Sequence, residues 1–271
     1  MDIKRILGNK KFDPDPLKDQ FFLIDDNVAE RLVGYADLCE NDTVLEIGTG
    51  FGNITDLIAK NAKKVISFEI DKRFRPYLKD LPENVDLRFT DAWDYVRLKG
   101  KFKKKKEYNK IISNLPYSFC EKLLHNLTFL EYDRVILLVP LKFVNTIREN
   151  RIFGSFFICE LKETVSKNSF YPKPRTNSAI IDLVKIQDPV ETKNISLFLR
   201  QYIYQHEEQK TKNSLREGLI KFYANALHKN LTKNQARNII QGASIDQLLL
   251  EQKPLDDEIY RQVGLKLSDT I

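Results

Sequence analysis

The sequence is short of the residues that build disulfide-rich or metal-bound folds. Of its 271 residues only three are cysteines, Cys39, Cys120 and Cys159, and no two of them form a CxxC pair. A disulfide scaffold and a zinc site are therefore not expected, and we expect no metal in the protein. Because scattered single cysteines are typical of proteins kept in a reducing environment, we expect a cytoplasmic protein.

Glycine, proline and long apolar runs are also scarce. Ten glycines and ten prolines are too few for a low-complexity or disordered chain. No stretch approaches the ~20 apolar residues that a membrane-spanning helix needs, and the opening residues MDIKRILGNK lack the apolar centre of a signal peptide. With 42% hydrophobic and 30% charged residues, the composition is that of one large globular domain, or of a medium domain with a small partner.

The excess charge is positive and modest. The chain has 44 lysine and arginine residues against 38 aspartate and glutamate residues, which gives a net charge of +6 and an isoelectric point near 9.0. This balance suits a polyanionic partner such as a nucleic acid but does not require one. The run KGKFKKKK at residues 99–106 has the same two interpretations, an exposed loop or a contact to phosphate.

Apolar runs alternate with helical patterns in the first half of the chain. Five runs are predicted to be buried strands, at residues 42–48, 63–71, 85–92, 109–115 and 133–140. Helical patterns lie between several of them, which indicates parallel strand–helix–strand units with right-handed crossovers. The predicted fold class is therefore α/β, with a Rossmann-like doubly wound sheet.

The pattern changes in the second half of the chain. The segments FFICELKETVSK and SAIIDLVKI flank a proline-bearing loop and are predicted to form an antiparallel pair at one edge of the sheet. Pro189 lies in a polar stretch that is predicted to be a linker. Beyond it every pattern is helical, and LTKNQARNIIQG has a capping box at Thr232 and Gln235. We expect a sheet domain over residues 1–188 and a small all-α domain over residues 189–271.

A glycine-rich segment follows the first predicted strand. In LEIGTGFGNIT, Gly48, Gly50 and Gly52 lie between a strand and a helix, and Glu46 comes just before them. Glycines at such a place allow the backbone to turn tightly and to approach a ligand closely. The spacing is G-x-G-x-G rather than the G-x-G-x-x-G dinucleotide pattern, and by itself it also fits a plain tight turn. Residues 48–52 are called the glycine loop below.

Two carboxylates follow the next two predicted strands. Glu69 in SFEID is placed to accept hydrogen bonds from both hydroxyls of a ribose, and Asp91 in FTDAW to accept from the exocyclic amine of an adenine. Each alone is typical of a protein surface. Together with the glycine loop, however, they fall at the carboxyl ends of successive parallel strands, where open α/β sheets bind ligands. These features predict an adenosine-bearing ligand, for which S-adenosylmethionine fits best and NAD is the second candidate.

The segment SNLPYS, residues 113–118, ends the fourth predicted strand and belongs to the same edge of the sheet. Pro116 cannot donate a backbone hydrogen bond and keeps Leu115 out of a helical conformation, so the loop is held open. An adenine exocyclic amine is a poor nucleophile because its lone pair is delocalised into the ring. If the side-chain oxygen of Asn114 and the carbonyl of Leu115 each accept one N–H, the nitrogen becomes tetrahedral and its lone pair points at a methyl donor. Tyr117 would stack on the base.

This segment resembles the motif of methyltransferases that act on amino groups of nucleobases, and the whole chain resembles the ribosomal RNA adenine dimethyltransferase family. The segments QFFLID, VLEIGTGFGNIT, FEID, TDAW and SNLPYS follow in the family order. FYPKPRTNSAII is similar to the family's Phe-x-Pro-x-Pro stretch, and QHEEQKTKNSL to a segment that opens its helical C-terminal domain. The resemblance covers nearly all of the chain.

The resemblance implies an enzyme that transfers methyl groups from S-adenosylmethionine to the exocyclic amines of adjacent adenines in small-subunit rRNA during ribosome assembly. We expect it to be a monomer. The predicted catalytic residues are Asn114, Leu115, Pro116 and Tyr117. The predicted cofactor contacts are Gln20, Phe22, Leu23, Glu46, Gly48, Gly50, Glu69, Ile70, Asp91, Ala92 and Asn114. The predicted substrate contacts are Tyr117, Phe170, Pro172, Lys103, Lys104, Lys210 and Lys212.

Two aromatic residues are singled out on the substrate side. The resemblance implies that Phe170 lies against the target base. Phe170 and Tyr171 stand beside the basic segment PKPR, and we expect both rings to be exposed and to form a stacking platform with a phosphate anchor.

The chain departs from the family on this same substrate side. Asp19 stands where the family usually has a glycine before Gln20. PLKF at residues 140–143 replaces the usual Gln-x-Glu-Phe, and Glu207 and Glu208 stand where a basic cluster is expected. Because carboxylates repel phosphate, either RNA is bound elsewhere or the substrate differs. The candidates for binding elsewhere are Lys103, Lys104, Lys105, Lys106, Lys210 and Lys212.

Two alternative functions stay open. One is a non-catalytic RNA-binding or ribosome assembly factor that keeps the fold, which the departures favour and the intact Asn114, Pro116 and Tyr117 disfavour. The other is the same chemistry on a different RNA, such as large-subunit RNA.

Overall fold

The computed structural model describes residues 3–8, 12–97, 107–150, 152–254 and 256–267. They fall into two compact units, one from Met1–Ile147 with Ile158–Val184 and the other from Arg148–Phe157 with Lys185–Ile271. The lysine run at residues 99–106 lies outside the described residues.

The first unit is built on a mixed sheet of seven strands in the order β4-β3-β2-β5-β6-β9-β7. The bounds are Thr43–Ile47 for β2, Lys64–Phe68 for β3, Val85–Arg88 for β4, Lys110–Asn114 for β5, Arg134–Pro140 for β6, Phe157–Val165 for β7 and Ser178–Lys185 for β9. The strands β2 to β6 are mutually parallel, and each falls within one of the five runs predicted to be strands. The predicted doubly wound fold class is confirmed.

The two segments predicted to form an antiparallel pair lie next to each other at one edge of the sheet, as β9 and β7. Strand β9 lies antiparallel to β6, with Leu138 opposite Ile180, and so occupies a place inside the sheet. Strand β7 forms the edge. The burial explains this order, because Ser178 to Leu183 are all buried whereas buried and exposed side chains are mixed along β7. A continuous apolar strand needs neighbours on both sides.

One buried carboxylate fixes the register of these last strands. Asp182 on β9 accepts from Arg134 on β6 at 2.9 Å, and the ammonium of Lys162 on β7 lies 3.5 Å from the same carboxylate. The side chain of Asp182 is only 3% exposed. A buried carboxylate is costly unless cations accompany it, so the three strands are expected to pair in this register alone.

Helices cover the sheet of the first unit. Their bounds are Ile3–Gly8 for α1, Asp26–Gly34 for α2, Asn53–Ala59 for α3, Trp93–Val96 for α4, Tyr117–Leu127 for α5 and Leu141–Glu149 for α6. A separate two-stranded sheet joins β1, Phe22–Leu23, to β8, Phe170–Tyr171, in antiparallel pairing. The main core lies between α2, α3 and the sheet, and its members Leu32, Val44 and Ile58 are fully buried.

An aromatic cluster forms a second, smaller core beside the glycine loop. The rings of Phe12 and Phe74 stack at 4.6 Å, and those of Phe22 and Phe51 meet edge to face at 4.9 Å. Aromatic pairs at these distances add to the free energy gained by burial alone. Since Phe51 belongs to the glycine loop, this cluster supports the loop from outside the sheet.

The second unit is helical. Its helices are α7, Ile195–Gln205; α8, Thr211–Ala226; α9, Lys233–Gly242; α10, Gln247–Glu251; and α11, Asp257–Lys266. Helices α7 and α8 pack closely at Gly218, where an added Cβ would lie 2.9 Å from a methyl of Leu199. Residues from 148–157 join this unit because Ser155 accepts a hydrogen bond from Gln201 at 2.6 Å and Phe156 contacts Tyr204.

The predicted capping box of α9 is present. The Thr232 hydroxyl accepts from the Gln235 N–H, and the Gln235 side chain accepts from the Thr232 N–H. The described helices include none that is long and apolar enough to cross a bilayer.

We predict that Thr232→Ala lowers the free energy of unfolding of the second unit by about 1 kcal/mol, because an orphan N–H at the helix start loses its acceptor. Urea unfolding followed by far-ultraviolet circular dichroism measures this change. Thr232→Ser keeps the hydroxyl and is the matched control, so an equal loss in both variants would show that the cap is not the cause.

Candidate active site

The glycine loop turns the chain sharply from β2 into α3. Gly48, Gly50 and Gly52 have φ values of 85°, 55° and 83°, a region that other residues rarely adopt. The N–H groups of Gly48 and Thr49 both donate to the carbonyl of Phe68, at 2.9 and 3.1 Å. These bonds hold the loop over the end of β3. The predicted glycine turn is therefore formed, at the carboxyl edge of the parallel strands.

Glu69 lies directly beside this loop. Its carboxylate accepts from the Gly50 N–H and from the Asp71 N–H, both at 2.8 Å. The residue is 6% exposed, and burial raises the pKa of the carboxyl group. Its neighbour Ile70 is 68% exposed, which leaves an apolar side chain uncovered at the same edge. An anionic acceptor next to an exposed apolar surface suits a sugar and a flat ring.

Glu46 is placed beneath the loop rather than on its surface. It is 1% exposed, and one carboxylate oxygen accepts from the hydroxyls of Thr55 and Ser67, each at 2.6 Å. Burial raises the pKa of this carboxyl group to about 7. Glu46 thus ties the start of α3 to β3, and its predicted contact to a cofactor stays a prediction.

Asp91 lies at the same edge, after β4. It is exposed, and one oxygen accepts from the Trp93 N–H at 2.8 Å, which begins helix α4. The next residue, Ala92, is buried. Asp91 therefore has one oxygen engaged by the backbone, and its predicted bond to an adenine amine stays a prediction.

The SNLPYS loop lies against the glycine loop. Asn114 is the last residue of β5, and Pro116 precedes helix α5. A Cβ placed on Gly48 would lie 3.6 Å from the ring of Pro116, so the two loops lie side by side with room for little more than a methyl group between them. The structure thus brings together the two segments that the sequence placed at the ends of separate strands.

The two oxygens predicted to bind the target amine both lack a donor within the described part of the chain, although Leu115 is only 1% exposed. Asn114 donates through Nδ2 to the carbonyl of Phe21 at 3.3 Å, which orients its amide. Among the described residues, no N–H or O–H donates to Oδ1 of Asn114 or to the carbonyl of Leu115. Buried or half-buried acceptors usually have a partner. A pair left without one at the same edge is suited to an external –NH2 group.

Residues 19–23, called the N-terminal segment below, connect the two sides of the site. Gln20 donates to Asp71 at 2.8 Å, next to Glu69. Asp19 accepts from the Ser118 N–H at 2.7 Å, at the start of α5. Phe22 and Leu23 are held in the aromatic cluster and the main core. Three of the predicted cofactor contacts thus position the site's walls.

Asp19 was missed as a functional residue. Its φ of 56° is left-handed, which accounts for the glycine that the family usually has at this position. Aspartate tolerates this conformation better than most residues, and its carboxylate caps α5. The sequence signalled this position only by having aspartate where the family usually has glycine.

Tyr117 is the first residue of α5. Its ring stacks on Phe21 with centroids 5.6 Å apart, and its hydroxyl lies 3.4 Å from the Ser178 hydroxyl. Burial raises the pKa of the phenol, so the ring is neutral at physiological pH. The predicted stacking of Tyr117 on a base stays a prediction.

The predicted platform of two exposed aromatics is wrong for Phe170. Its ring is 4% exposed and belongs to the main core, whereas Tyr171 is 44% exposed. The reason is the β1–β8 pairing, in which Leu23 is opposite Phe170 and successive side chains point to opposite faces. Pro172 is half-buried and follows Tyr171.

The predicted basic contacts are of two kinds. Lys103 and Lys104 lie outside the described residues. In the second unit Lys210 and Lys212 both pair with Glu251, at 3.0 and 2.6 Å. Charges that are already paired attract phosphate less, and the substrate roles of these lysines stay predictions.

Comparison with known proteins agrees with this geometry. Residues 17–257 match the family described as "Ribosomal RNA adenine dimethylase". The chain belongs to this family. Its membership confirms the enzyme class expected from the sequence, an rRNA adenine methyltransferase.

Curated relatives have names that agree with this family. The probable ribosomal RNA small subunit methyltransferase A of Methanosarcina acetivorans is 29% identical, over 87% of this chain and 93% of its own. The protein of that name from Thermococcus kodakarensis is 30% identical, over 89% of this chain and 91% of its own.

Two solved structures share the fold of this rRNA adenine dimethylase. The dimethyladenosine transferase of Plasmodium falciparum has a TM-score of 0.56 at 19% identity, covering 91% of this chain and 97% of that one. The 23S rRNA methyltransferase ErmE has a TM-score of 0.55 at 19% identity, covering 91% and 99%. At such identities the likeness is one of fold.

We predict that Gly52→Ala destabilises the first unit by about 2 kcal/mol, since a left-handed alanine costs roughly 1–2 kcal/mol and overpacking adds to it. The new methyl would lie 2.9 Å from Leu78 and 3.2 Å from Leu81. Gly34→Ala is the control, because Gly34 ends a helix and has no atom within 4 Å of the added Cβ. Urea unfolding of both variants measures the difference, and equal stability would refute the strain.

We predict that Glu46→Gln gains stability over the wild type as the pH rises. The folded pKa lies above its ordinary value of 4.5, at about 7. Between these values the folded state binds more protons than the unfolded state, so stability falls with pH by about 3 kcal/mol. Glutamine removes this contribution.

The measurement is the difference in unfolding free energy between Glu46→Gln and the wild type from about pH 5 to pH 8. Asp71, whose pKa is lowered to about 2 by hydrogen bonds from Arg73, acts only at lower pH and does not interfere. A difference that is constant over this range would show that Glu46 is ionised throughout.

Proposed function

We propose that the protein transfers methyl groups from S-adenosylmethionine to the exocyclic amines of adjacent adenines in small-subunit rRNA during ribosome assembly. The observation that carries the proposal is the pair of acceptors without a donor among the described residues, Oδ1 of Asn114 and the carbonyl of Leu115, in the loop that lies beside the glycine loop. The names of the curated relatives support the choice of small-subunit rRNA.

The residues at the carboxyl edge fit S-adenosylmethionine. The left-handed glycines turn the backbone tightly at the end of β2, Glu69 offers lone pairs to ribose hydroxyls, and Ile70 offers an apolar surface to the adenine. Asp91 and Ala92 follow on the next strand. When bound, the cofactor supplies an electrophilic methyl group on a sulfonium centre.

The protein's own contribution to the reaction is orientation. Asn114 and Leu115 each accept one N–H of the target amine, which frees the lone pair from the purine ring and directs it toward the methyl group. Tyr117 stacks on the base and holds it out of its helix. Neither oxygen is a base, so the proton of the methylated amine leaves to water. After the first transfer the nitrogen carries one hydrogen and one methyl group. A second methylation of the same nitrogen requires only that one of the two acceptors tolerates the methyl group in place of an N–H.

One observation favours a second candidate, the same chemistry on a different RNA. Lys210 and Lys212 are paired with Glu251, and Glu207 and Glu208 are exposed on the same turn. The second unit therefore presents less free positive charge than an RNA-binding helical domain would need. Mapping the modified nucleotide after incubation with immature small and large subunits distinguishes the two RNAs.

We predict that Asn114→Ala lowers methyl transfer at least ~100-fold, the usual loss for one preorganised hydrogen bond at a reacting centre. Affinity for S-adenosylmethionine should stay largely intact, because the glycine loop and Glu69 are untouched. The rate of methyl transfer is measured with labelled methyl groups and immature small subunits. The affinity for S-adenosylmethionine is measured by titration calorimetry.

Asn61→Ala is the matched control, since Asn61 is an exposed asparagine after α3. Unchanged turnover in Asn114→Ala would contradict the proposal. A wild type that binds small subunits tightly but transfers no methyl group would point instead to a non-catalytic assembly factor.

A further inference from the structure

A cavity that the preceding proposal does not use lies beside the SNLPYS loop. It has a volume of about 460 Å³ and lies between the start of α6 and the loop that leads into β9. The residues that line it are Leu141, Lys142, Asn145, Lys167, Thr176 and Asn177. We call it the lysine cavity.

The walls of the lysine cavity are held by hydrogen bonds. The Leu141 N–H donates to the carbonyl of Asn177 at 3.0 Å, and the Lys167 N–H donates to the side chain of Asn177 at 3.1 Å. Asn177 therefore joins the start of α6 to the turn at Lys167. Because one residue holds the backbone N–H groups of both Leu141 and Lys167, the spacing between the two segments that carry the lysines is restrained.

The chemistry of the lining is that of an anion site. Lys142 and Lys167 supply two positive charges, and Asn145, Thr176 and Asn177 supply amide and hydroxyl groups. Neither lysine forms an ion pair with a carboxylate within the part of the chain that the structure describes. No acidic residue lines the cavity. Two unpaired cations with neutral donors match a phosphate group.

The position of the cavity connects it with the catalytic residues. Asn177 immediately precedes Ser178, whose hydroxyl lies 3.4 Å from that of Tyr117. Ser178 also pairs with Pro140 at the end of β6, and Lys142 follows two residues later. The cavity is therefore connected with Tyr117 through Asn177 and Ser178, which are adjacent in the chain.

The positive charge at Lys142 differs from what the family resemblance leads us to expect. The resemblance to the family leads us to expect Glu at position 142, and the sequence has Lys. The reversal removes a negative charge from the cavity and adds a positive one. The change in the second unit has the opposite sign, because acidic side chains there replace an expected basic cluster. Positive charge is thus moved from the helical unit to the catalytic unit.

We propose that the lysine cavity binds a backbone phosphate of the substrate RNA, next to the target adenine. The proposal rests on the proposed function, since it takes the nucleic acid to be an RNA that places its base at Tyr117. Lys142 and Lys167 hold the phosphate, and the amide N–H groups and the hydroxyl of the lining donate to its oxygens. Lys173 and Arg175, exposed on the same loop, meet the neighbouring phosphates.

The test is RNA binding at several salt concentrations, with Lys142→Glu, Lys167→Glu and the double variant. Each phosphate contact that is lost should reduce the magnitude of the slope of log K for RNA binding against log salt concentration by about 1. The affinity for RNA should fall by about tenfold for each charge reversal. Fluorescence anisotropy with a labelled fragment of small-subunit rRNA measures both. Lys142→Arg, which keeps the charge, should bind like the wild type.

Lys63→Glu is the matched control, because Lys63 is exposed at the amino end of β3, away from the carboxyl edge. It changes the net charge equally but removes no proposed contact. If Lys142→Glu and Lys167→Glu keep the affinity and salt slope of this control, the phosphate site is refuted. Weaker binding of inorganic phosphate in the variants, without any change for RNA, would identify a site for free anions and would also overturn it.

The outcomes separate this proposal from the proposed function. Binding is measured without catalysis, so a wild type that transfers no methyl group but shows the lysine-dependent salt slope keeps the phosphate site and loses the enzyme assignment. A wild type that methylates adenine with a slope unaffected by both lysines keeps the enzyme assignment and loses the site. Affinity for S-adenosylmethionine, which involves the glycine loop, should be the same in all variants.

Discussion

A chain of hydrogen bonds that starts at the Glu69 carboxylate holds the candidate active site together. Glu69 accepts from Gly50 on one side and from Asp71 on the other, and Asp71 in turn accepts from Gln20. Gln20 adjoins Asp19, which accepts from the N–H of Ser118 at the end of the SNLPYS loop. Because buried polar groups are costly without partners, each member restrains the next. The glycine loop and the SNLPYS loop are thereby kept in contact without a direct hydrogen bond between them.

The two sides of the SNLPYS loop have opposite charge. Glu46, Glu69 and Asp91 lie on the side of the glycine loop, where a ligand with hydroxyl groups and a positive sulfur is expected. Lys142 and Lys167 line the lysine cavity, which is connected with Tyr117 through Asn177 and Ser178 and where we propose that phosphate binds. Such a division lets one edge of a sheet discriminate a cationic donor from a polyanionic acceptor, since each is attracted to one side and repelled from the other.

Sequence patterns were most reliable where the physical signal was local. The five parallel strands, the left-handed glycines of the loop and the capping box at Thr232 each depend on a few adjacent residues. The pair that closes the sheet edge was predicted, but the order of its two strands and the burial of Phe170 were not. Both depend on pairing between residues far apart in the chain, and the alternation that decides which face a side chain takes cannot be read from a segment as short as FY. The role of Asp19 required knowing where α5 begins.

The sequence by itself determined the family, the order of the elements and the set of residues that can take part in catalysis, because strand and helix periodicity, turn glycines and the NLPY segment are properties of neighbouring residues. Only the tertiary structure decided which of these groups are available. Oδ1 of Asn114 and the carbonyl of Leu115 accept nothing from the described residues, Glu46 is enclosed, Lys210 and Lys212 are paired, and Lys142 and Lys167 share one cavity. The physical reason is that availability depends on burial and on partners supplied from distant parts of the chain, and folding alone brings those together.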